Sequence, residues 1–196
     1  MKRLQAAIVA AALLAPHAIA APRPYVLAPA GSTLEFTFVQ AGAENTGAFR
    51  KFDVKLTLDD ETPANNRLEV TIPVASLDTR DEERDGILRD AELFNVEKHP
   101  IAIFTSKAIR RTAPGRYEAT GKLSIRGVSR DVRVPFTLNG TRMQGGTTIR
   151  RLDFGIGQGE WQSTEWVGND VEVRFALRLA RLGKSGEVAV GRPAAR

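Results

Sequence analysis

Few residues in this chain could do covalent chemistry. It contains no cysteine, and its two histidines are His17 and His99. A nucleophilic mechanism needs an activated serine, cysteine or lysine beside a base, and His99 precedes Pro100 at what reads as a lid-to-strand junction. Glu160 and Glu165 could act as a paired acid and base at a cavity mouth, which requires their environments to differ; the sequence shows no such difference. One histidine with scattered carboxylates is a poor ligand set for a metal. The run Gly155-Ile156-Gly157-Gln158-Gly159 opens like a phosphate cradle, but that fingerprint needs a strand-to-helix context. Here Trp161-Gln162-Ser163 follows without helical period, so the run reads as a wide loop. No catalytic residue, metal or cofactor is expected.

Binding chemistry is better supplied. Phe36, Phe38, Phe52, Phe104, Phe136, Phe154 and Phe175 all fall on the apolar parity of alternating segments. They are candidates to line an apolar channel, although core packing is what most buried aromatics do. Trp161 and Trp166 flank the glycine-rich run and suit a rim, because indole joins an apolar body to a polar N–H. Asp153 beside Arg150 and Arg151 is expected to form a structural pair inside the fold.

The elements that would carry these residues are strands. The clearest is the segment 117–138, two alternating runs joined at Gly127, which predicts an antiparallel hairpin wet on one face. The same grammar recurs at 32–40, 47–58, 67–74, 101–109, 147–156 and 171–179. Pro73 belongs at an edge or strand end, since it cannot donate to a ladder. Turns are expected at Pro63–Asn66, Pro114-Gly115, Asn139-Gly140 and Gly145-Gly146. Between the third and fourth runs, Thr79-Arg80-Asp81-Glu82 has capping-box form and predicts a short charged helix over 78–90, a lid segment with Ile87, Leu88, Ala91 and Leu93 as its apolar stripe. The fold class is all-β. About eight antiparallel strands are stable as a closed barrel or a two-sheet sandwich; periodicity does not separate these, and the barrel is the favoured form.

The first 20 residues read as a signal peptide: Lys2-Arg3, an apolar stretch from Leu4 to Leu14, then Ala18-Ile19-Ala20. The expected barrel domain covers 21–181, a disordered tail follows over 182–196, and the location is periplasmic. Without Lys2 and Arg3 the formal charge drops from +5 to +3. That charge is dispersed along the sequence and not interleaved with aromatics, which gives no support to nucleic-acid binding.

Three segments, taken in order, resemble the YceI family of exported lipid-binding proteins: LRDAELFNVEKHPIAIFTS (88–106), GKLSIRGV (121–128) with Val134-Pro135-Phe136, and LDFGIG (152–157) followed by Trp161. The resemblance implies an antiparallel, eight-stranded, lipocalin-like barrel holding a polyisoprenoid or similar long-chain amphiphile, such as an isoprenoid quinone or polyprenyl lipid, for transport or storage. One departure is Val39-Gln40, where many members carry a basic residue and histidine. Arg150-Arg151 and the Gly-Gln-Gly-Glu-Trp run resemble a subgroup encoded beside membrane cytochromes b, which would make such a cytochrome a partner. Homodimerisation stays open, as do an enzyme using mouth carboxylates and a sandwich that binds proteins.

Overall fold

In the computed structural model, residues 22–183 are described; the expected signal peptide and nearly all of the expected tail lie outside them. Ten strands form one sheet: β1 (Arg23–Gln40), β2 (Ala43–Phe49), β3 (Asp53–Leu58), β4 (Arg67–Pro73), β5 (Leu77–Asp78), β6 (Ile101–Ala113), β7 (Arg116–Ile125), β8 (Val128–Asn139), β9 (Arg142–Arg150) and β10 (Asp170–Arg181). Neighbours in the ring pair antiparallel, and β10 returns to pair with β1. Closure removes the free edges that an open sheet would expose. The ring has eight positions, because β2 and β3 are successive halves of one broken strand, as are β4 and β5.

The two breaks lie side by side, and Ser76 seals them. Its Oγ has one proton to share between the carbonyls of Pro73 (2.7 Å) and Lys51 (3.1 Å) and accepts from the Lys51 N–H (3.2 Å). The Arg50 N–H reaches the Ser76 carbonyl at 2.9 Å. The expected single strand over 47–58 is therefore interrupted at 50–52, where two adjacent strands bend together and exchange hydrogen bonds across the bend. Pro73 stands at the end of β4, opposite Ile101.

The opening hairpin forms as its alternation predicts. Arg126 and Gly127 both have positive φ (51° and 74°), the two-residue turn whose twist matches that of the flanking strands. Tyr117, Ala119 and Ile125 on β7 and Val134, Phe136 and Leu138 on β8 are buried.

Three local expectations are corrected. Gly145-Gly146 is not a turn but the middle of β9. A Cβ on Gly145 would stand 2.4 Å from the Pro135 carbonyl and 2.7 Å from Phe175 Cζ, and one on Gly146 would stand 2.5 Å from the Val173 carbonyl. Both glycines serve close approach. The run 147–156 is a strand only to Arg150; Arg151–Phe154 is a 3₁₀ turn ended by Gly155 at φ 69°, so Leu152, Phe154 and Ile156 do not share a strand face. The helix, α1 (Glu82–Arg89), is capped by Asp81, whose side chain accepts from the Arg84 N–H. Thr79 instead gives its N–H (2.8 Å) and hydroxyl (2.7 Å) to Asp85, because a two-residue offset lets this buried carboxylate tie the helix to β5.

The β1–β2 hairpin, the lid segment, the Arg126-Gly127 turn and the loop 151–169 all lie at one end of the barrel. The other end, here the base, carries the β3–β4, β6–β7 and β8–β9 connections. Strand β10 leaves there too, where the Leu182 N–H donates to the Pro24 carbonyl at 2.9 Å. Leu182 is thus part of the closure, not of the tail expected from residue 182. The chain folds as a lipocalin-like, eight-stranded antiparallel barrel with a short helical lid.

Candidate functional site

Two apolar clusters fill the barrel at different heights. Toward the base Tyr25, Leu56, Leu58, Ile109, Tyr117, Phe136, Leu138 and Leu179 pack as one core. Toward the lid, Phe36, Phe38, Val74, Leu77, Leu93, Ile125, Ile149 and Ile156 belong to a second cluster, with Ile87 and Leu88 of α1 against it. Between and above them lies a cavity of about 560 Å³, within the range of small-molecule sites. The cavity is closed below by the base core, so it has the form of a cup.

Its wall is built by period 2. Leu34, Phe36 and Phe38 of β1, Val70 and Ile72 of β4, Leu123 and Ile125 of β7, and Val171, Val173 and Phe175 of β10 all point into it. Phe36 stacks near Phe38 with centroids 6.1 Å apart and meets Phe49 at 5.2 Å. Its ring passes over Gly47, where a Cβ would lie 2.3 Å from Phe36 Cζ. That glycine makes room for the ring to lie flat against the wall.

Most polar lining residues gather at one opening, with Thr147 of β9 and Arg151 also bordering the cavity. Gln40, Ala41, Ala43 and Asn45 of the β1–β2 hairpin face Asp81, Glu83 and Arg84 at the start of α1. Asn45 is engaged with the Ala43 carbonyl (3.0 Å), and Arg84 pairs with Asp81 at 3.4 Å. The Gln40 side chain is half-buried and makes no hydrogen bond within the described residues, leaving an amide that can both donate and accept toward a polar group at the mouth. Val39, one residue earlier, points outward and is 44% exposed.

Of the sequence-derived candidates, Phe36, Phe38, Phe52, Phe104, Phe175 and Trp161 line the cavity. Three do not. Phe136, 3% exposed, lies in the base core and stacks on Tyr117 at 5.3 Å; its parity is inward, but its height is below the cup. Phe154 is buried at the lid end, where the 3₁₀ turn has rotated it off the strand register. Trp166 is 67% exposed on the outer side of the loop, held where its carbonyl accepts from the Ala41 N–H at 2.7 Å. Phe49, Gln40 and the hairpin were missed as lining, although the inward parity of Gln40 with Phe38 was readable. Glu160 and Glu165 are exposed and do not line the cavity.

The lid end is organised by two arginines. Arg151, 3% exposed, donates to five carbonyls: Nε to Gly168 (3.0 Å), Nη1 to Ile156 (3.0 Å) and Trp161 (2.7 Å), and Nη2 to Ser163 (3.0 Å) and Val167 (2.8 Å). All five N–H groups of the guanidinium are used. Burial pulls its pKa below the usual arginine value. The expected inside pair is corrected: Asp153 reaches Arg150 at 3.9 Å on the exposed surface, and Arg151 is held by carbonyls because the loop wraps around it. Gly157 is required there, since a Cβ would come within 2.0 Å of Arg151 Nη1. Arg126 joins the β7–β8 turn to the lid, donating to Gly155 (2.7 Å) and Ala91 (2.5 Å).

Comparison with known proteins agrees with this architecture. The family model for the YceI-like domain matches residues 25–179. The UPF0312 protein plu2095 of Photorhabdus laumondii is 44% identical over 86 residues, which is 44% of each chain. The chain spans about half the length of the curated relatives it matches. Among solved structures, BcnA of Burkholderia cenocepacia superimposes with a TM-score of 0.73 at 32% identity, covering 79% of this chain and 99% of that one. A polyisoprenoid binding domain from Saccharophagus degradans, implicated in plant cell wall breakdown, shares the fold at 17% identity, with a TM-score of 0.59 and coverage of 79% and 97%.

Proposed function

Because the chain belongs to the YceI-like domain family, we propose that it is a periplasmic, non-catalytic carrier holding one long-chain amphiphile, of polyisoprenoid type, with its tail in the cup. The observation that carries this is the cavity itself: about 560 Å³ of volume walled by hydrocarbon, with most of its polar lining collected at the mouth. At about 30 Å³ per methylene-sized group, the share of one water in the liquid, it accommodates on the order of 19 carbons, or roughly four isoprene units. Each unit contributes about 4 kcal/mol of gross transfer energy at about 0.8 kcal/mol per carbon, which ordering costs offset in part. The head group would remain at the mouth beside Gln40 and Arg84. The structural likeness to a polyisoprenoid binding domain supports the choice of tail, and the N-terminal Lys2-Arg3 to Ala20 pattern supports the compartment. A membrane cytochrome b as the partner exchanging this cargo rests on the Arg150-Arg151 pair and the Gly157–Trp161 run.

The test is a titration with isoprenoid alcohols of increasing length. Affinity should rise steeply and level off near four units, with the negative heat-capacity change of apolar burial. An affinity that ignores tail length, or a turnover that follows Glu160 or Glu165, would replace the carrier with an enzyme.

A further inference from the structure

The fold collects charge that the sequence scatters. Arg110 and Arg111 end β6, Arg116 begins β7, Arg142 begins β9 and Arg178 lies near the end of β10, which brings five arginines to the base of the barrel over five adjacent strands. All five are exposed, and none has an ion pair or side-chain hydrogen bond among the described residues. Arg178 stands directly opposite Arg142 across the β9–β10 ladder. The one acidic neighbour in this sector is Glu118, opposite Arg110. Elsewhere at the base the cations are engaged: Arg23 with Asp60, Arg67 with the carbonyls of Ala64 and Asn66, and Arg181 over the ring of Tyr25. At the opposite end the segment 78–100 holds eight acidic and four basic residues. The base also carries Asp59, Asp60 and Glu61 in the β3–β4 connection, so the positive field is concentrated in the sector from β6 to β10.

Like charges facing each other across a ladder are destabilising, so an uncompensated arginine sector calls for an anion supplied from outside. Strand spacing of about 4.8 Å spreads the sector over roughly 19 Å of outer wall. The exposed large apolar side chains, Val39, Ile101, Ile103 and Trp166, all lie away from it. It therefore lacks the stacking surface that nucleic acid uses, and its convex shape suits a broad sheet of phosphates, to which guanidinium binds in a fork. We propose that this sector docks the barrel base-first on a bilayer surface containing anionic phospholipids, with the cavity mouth held away from that surface. The acidic lid end reinforces the orientation by repulsion.

The experiment is vesicle co-sedimentation of the purified protein with phosphatidylcholine vesicles, with and without phosphatidylglycerol. Binding should require the anionic lipid and fade between 0.1 M and 1 M salt as the screening length shrinks from about 10 Å to about 3 Å. The double variant Arg142→Gln, Arg178→Gln should bind tens of fold more weakly, at about fivefold per charge near the surface, with an unchanged or higher Tm. Neither residue lines the cavity, so uptake of a soluble short isoprenoid alcohol should be unaltered; failure of the wild type itself to take it up would count against the carrier while vesicle binding still decides the docking face. The absence of cysteine allows single labels at Thr141→Cys, on the base, and Ala43→Cys, at the mouth. The base label should respond to vesicles. Equal binding to neutral vesicles, a response from the mouth label alone, or retention by nucleic acid without vesicle binding would each overturn the proposal.

Discussion

Removing one phenylalanine from the plug of the base core and one that borders the cavity should separate structural packing from ligand packing. Phe136 is 3% exposed and stacked on Tyr117 in the base core. Phe136→Ala leaves a void that its neighbours, fixed in the ladder, cannot close. The expected cost is about 3–5 kcal/mol, which for a domain of this size lowers Tm by roughly 6–20 °C. Phe104 is also buried, at 6% exposure, but its ring borders the cavity. Its truncation enlarges an existing space and gives up contacts mainly on the wall side, so Phe104→Ala should cost nearer 1–2 kcal/mol. Its effect on cargo should be the larger one. Thermal unfolding by circular dichroism, paired with isoprenoid titration, reads both quantities on the same samples. Arg133→Ala, an exposed position on β8, serves as the control and should move neither. Equal Tm losses for the two phenylalanines, or cargo loss from Phe136→Ala without destabilisation, would show that the base is not a plug and that the cup extends through it.

Other substitutions probe the lid end, the wall and the base. Arg151→Met strips five carbonyls of their donor and should cost at least about 3 kcal/mol, with protease cleavage appearing in 155–168; an unchanged Tm and digest would refute the hub. Gly47→Ala must push the Phe36 ring off its 2.3 Å approach and into the cavity, shortening the tail length at which affinity levels off; an unshifted plateau would contradict this. Trp161 lines the cavity and Trp166 does not, so Trp161→Phe should abolish the emission change on cargo binding and Trp166→Phe should keep it. The Thr62 N–H, the Asn65 amide and the Glu61 N–H hold the Asp59 carboxylate below its ordinary range. Its contribution to stability is therefore present above the unfolded value near 4 and is lost as pH falls through the lower folded value. Tm of the wild type should drop below about pH 4, and Asp59→Asn should flatten that drop; parallel curves would exclude Asp59 as its source.

Most of the ring was legible because period 2 is a local signal that survives wherever one face is dry. The parity of Phe36, Phe38, Phe104 and Phe175 came directly from it, as did that of the hairpin. Parity states that a side chain points inward but not how high along the axis it sits, which is why Phe136 reads like a wall residue and belongs to the plug. Alternation also ran on through Leu152, Phe154 and Ile156, where the backbone turns; the cause is the coordination of Arg151 by carbonyls up to 17 residues away, and no local pattern encodes that. Gly145-Gly146 looked like punctuation because the Phe175 ring and the Val173 carbonyl, which leave no room for a Cβ at either position, lie in another strand. The charge sector at the base was invisible for the same reason: its arginines are brought together by register.

The hydrogen bond from Leu182 to Pro24 fixes where the described chain enters and leaves the barrel. Both points lie at the base, within one strand spacing of each other, and the mouth lies at the far end. A fusion partner attached at either point would hang below the cup without shading its opening. A short linker joining the two points would make a circular permutant feasible, with new ends cut into the Asn139–Arg142 turn and the lid assembly left intact. The barrel can therefore be immobilised, tagged or strung in tandem through its base while every unit keeps an unobstructed mouth.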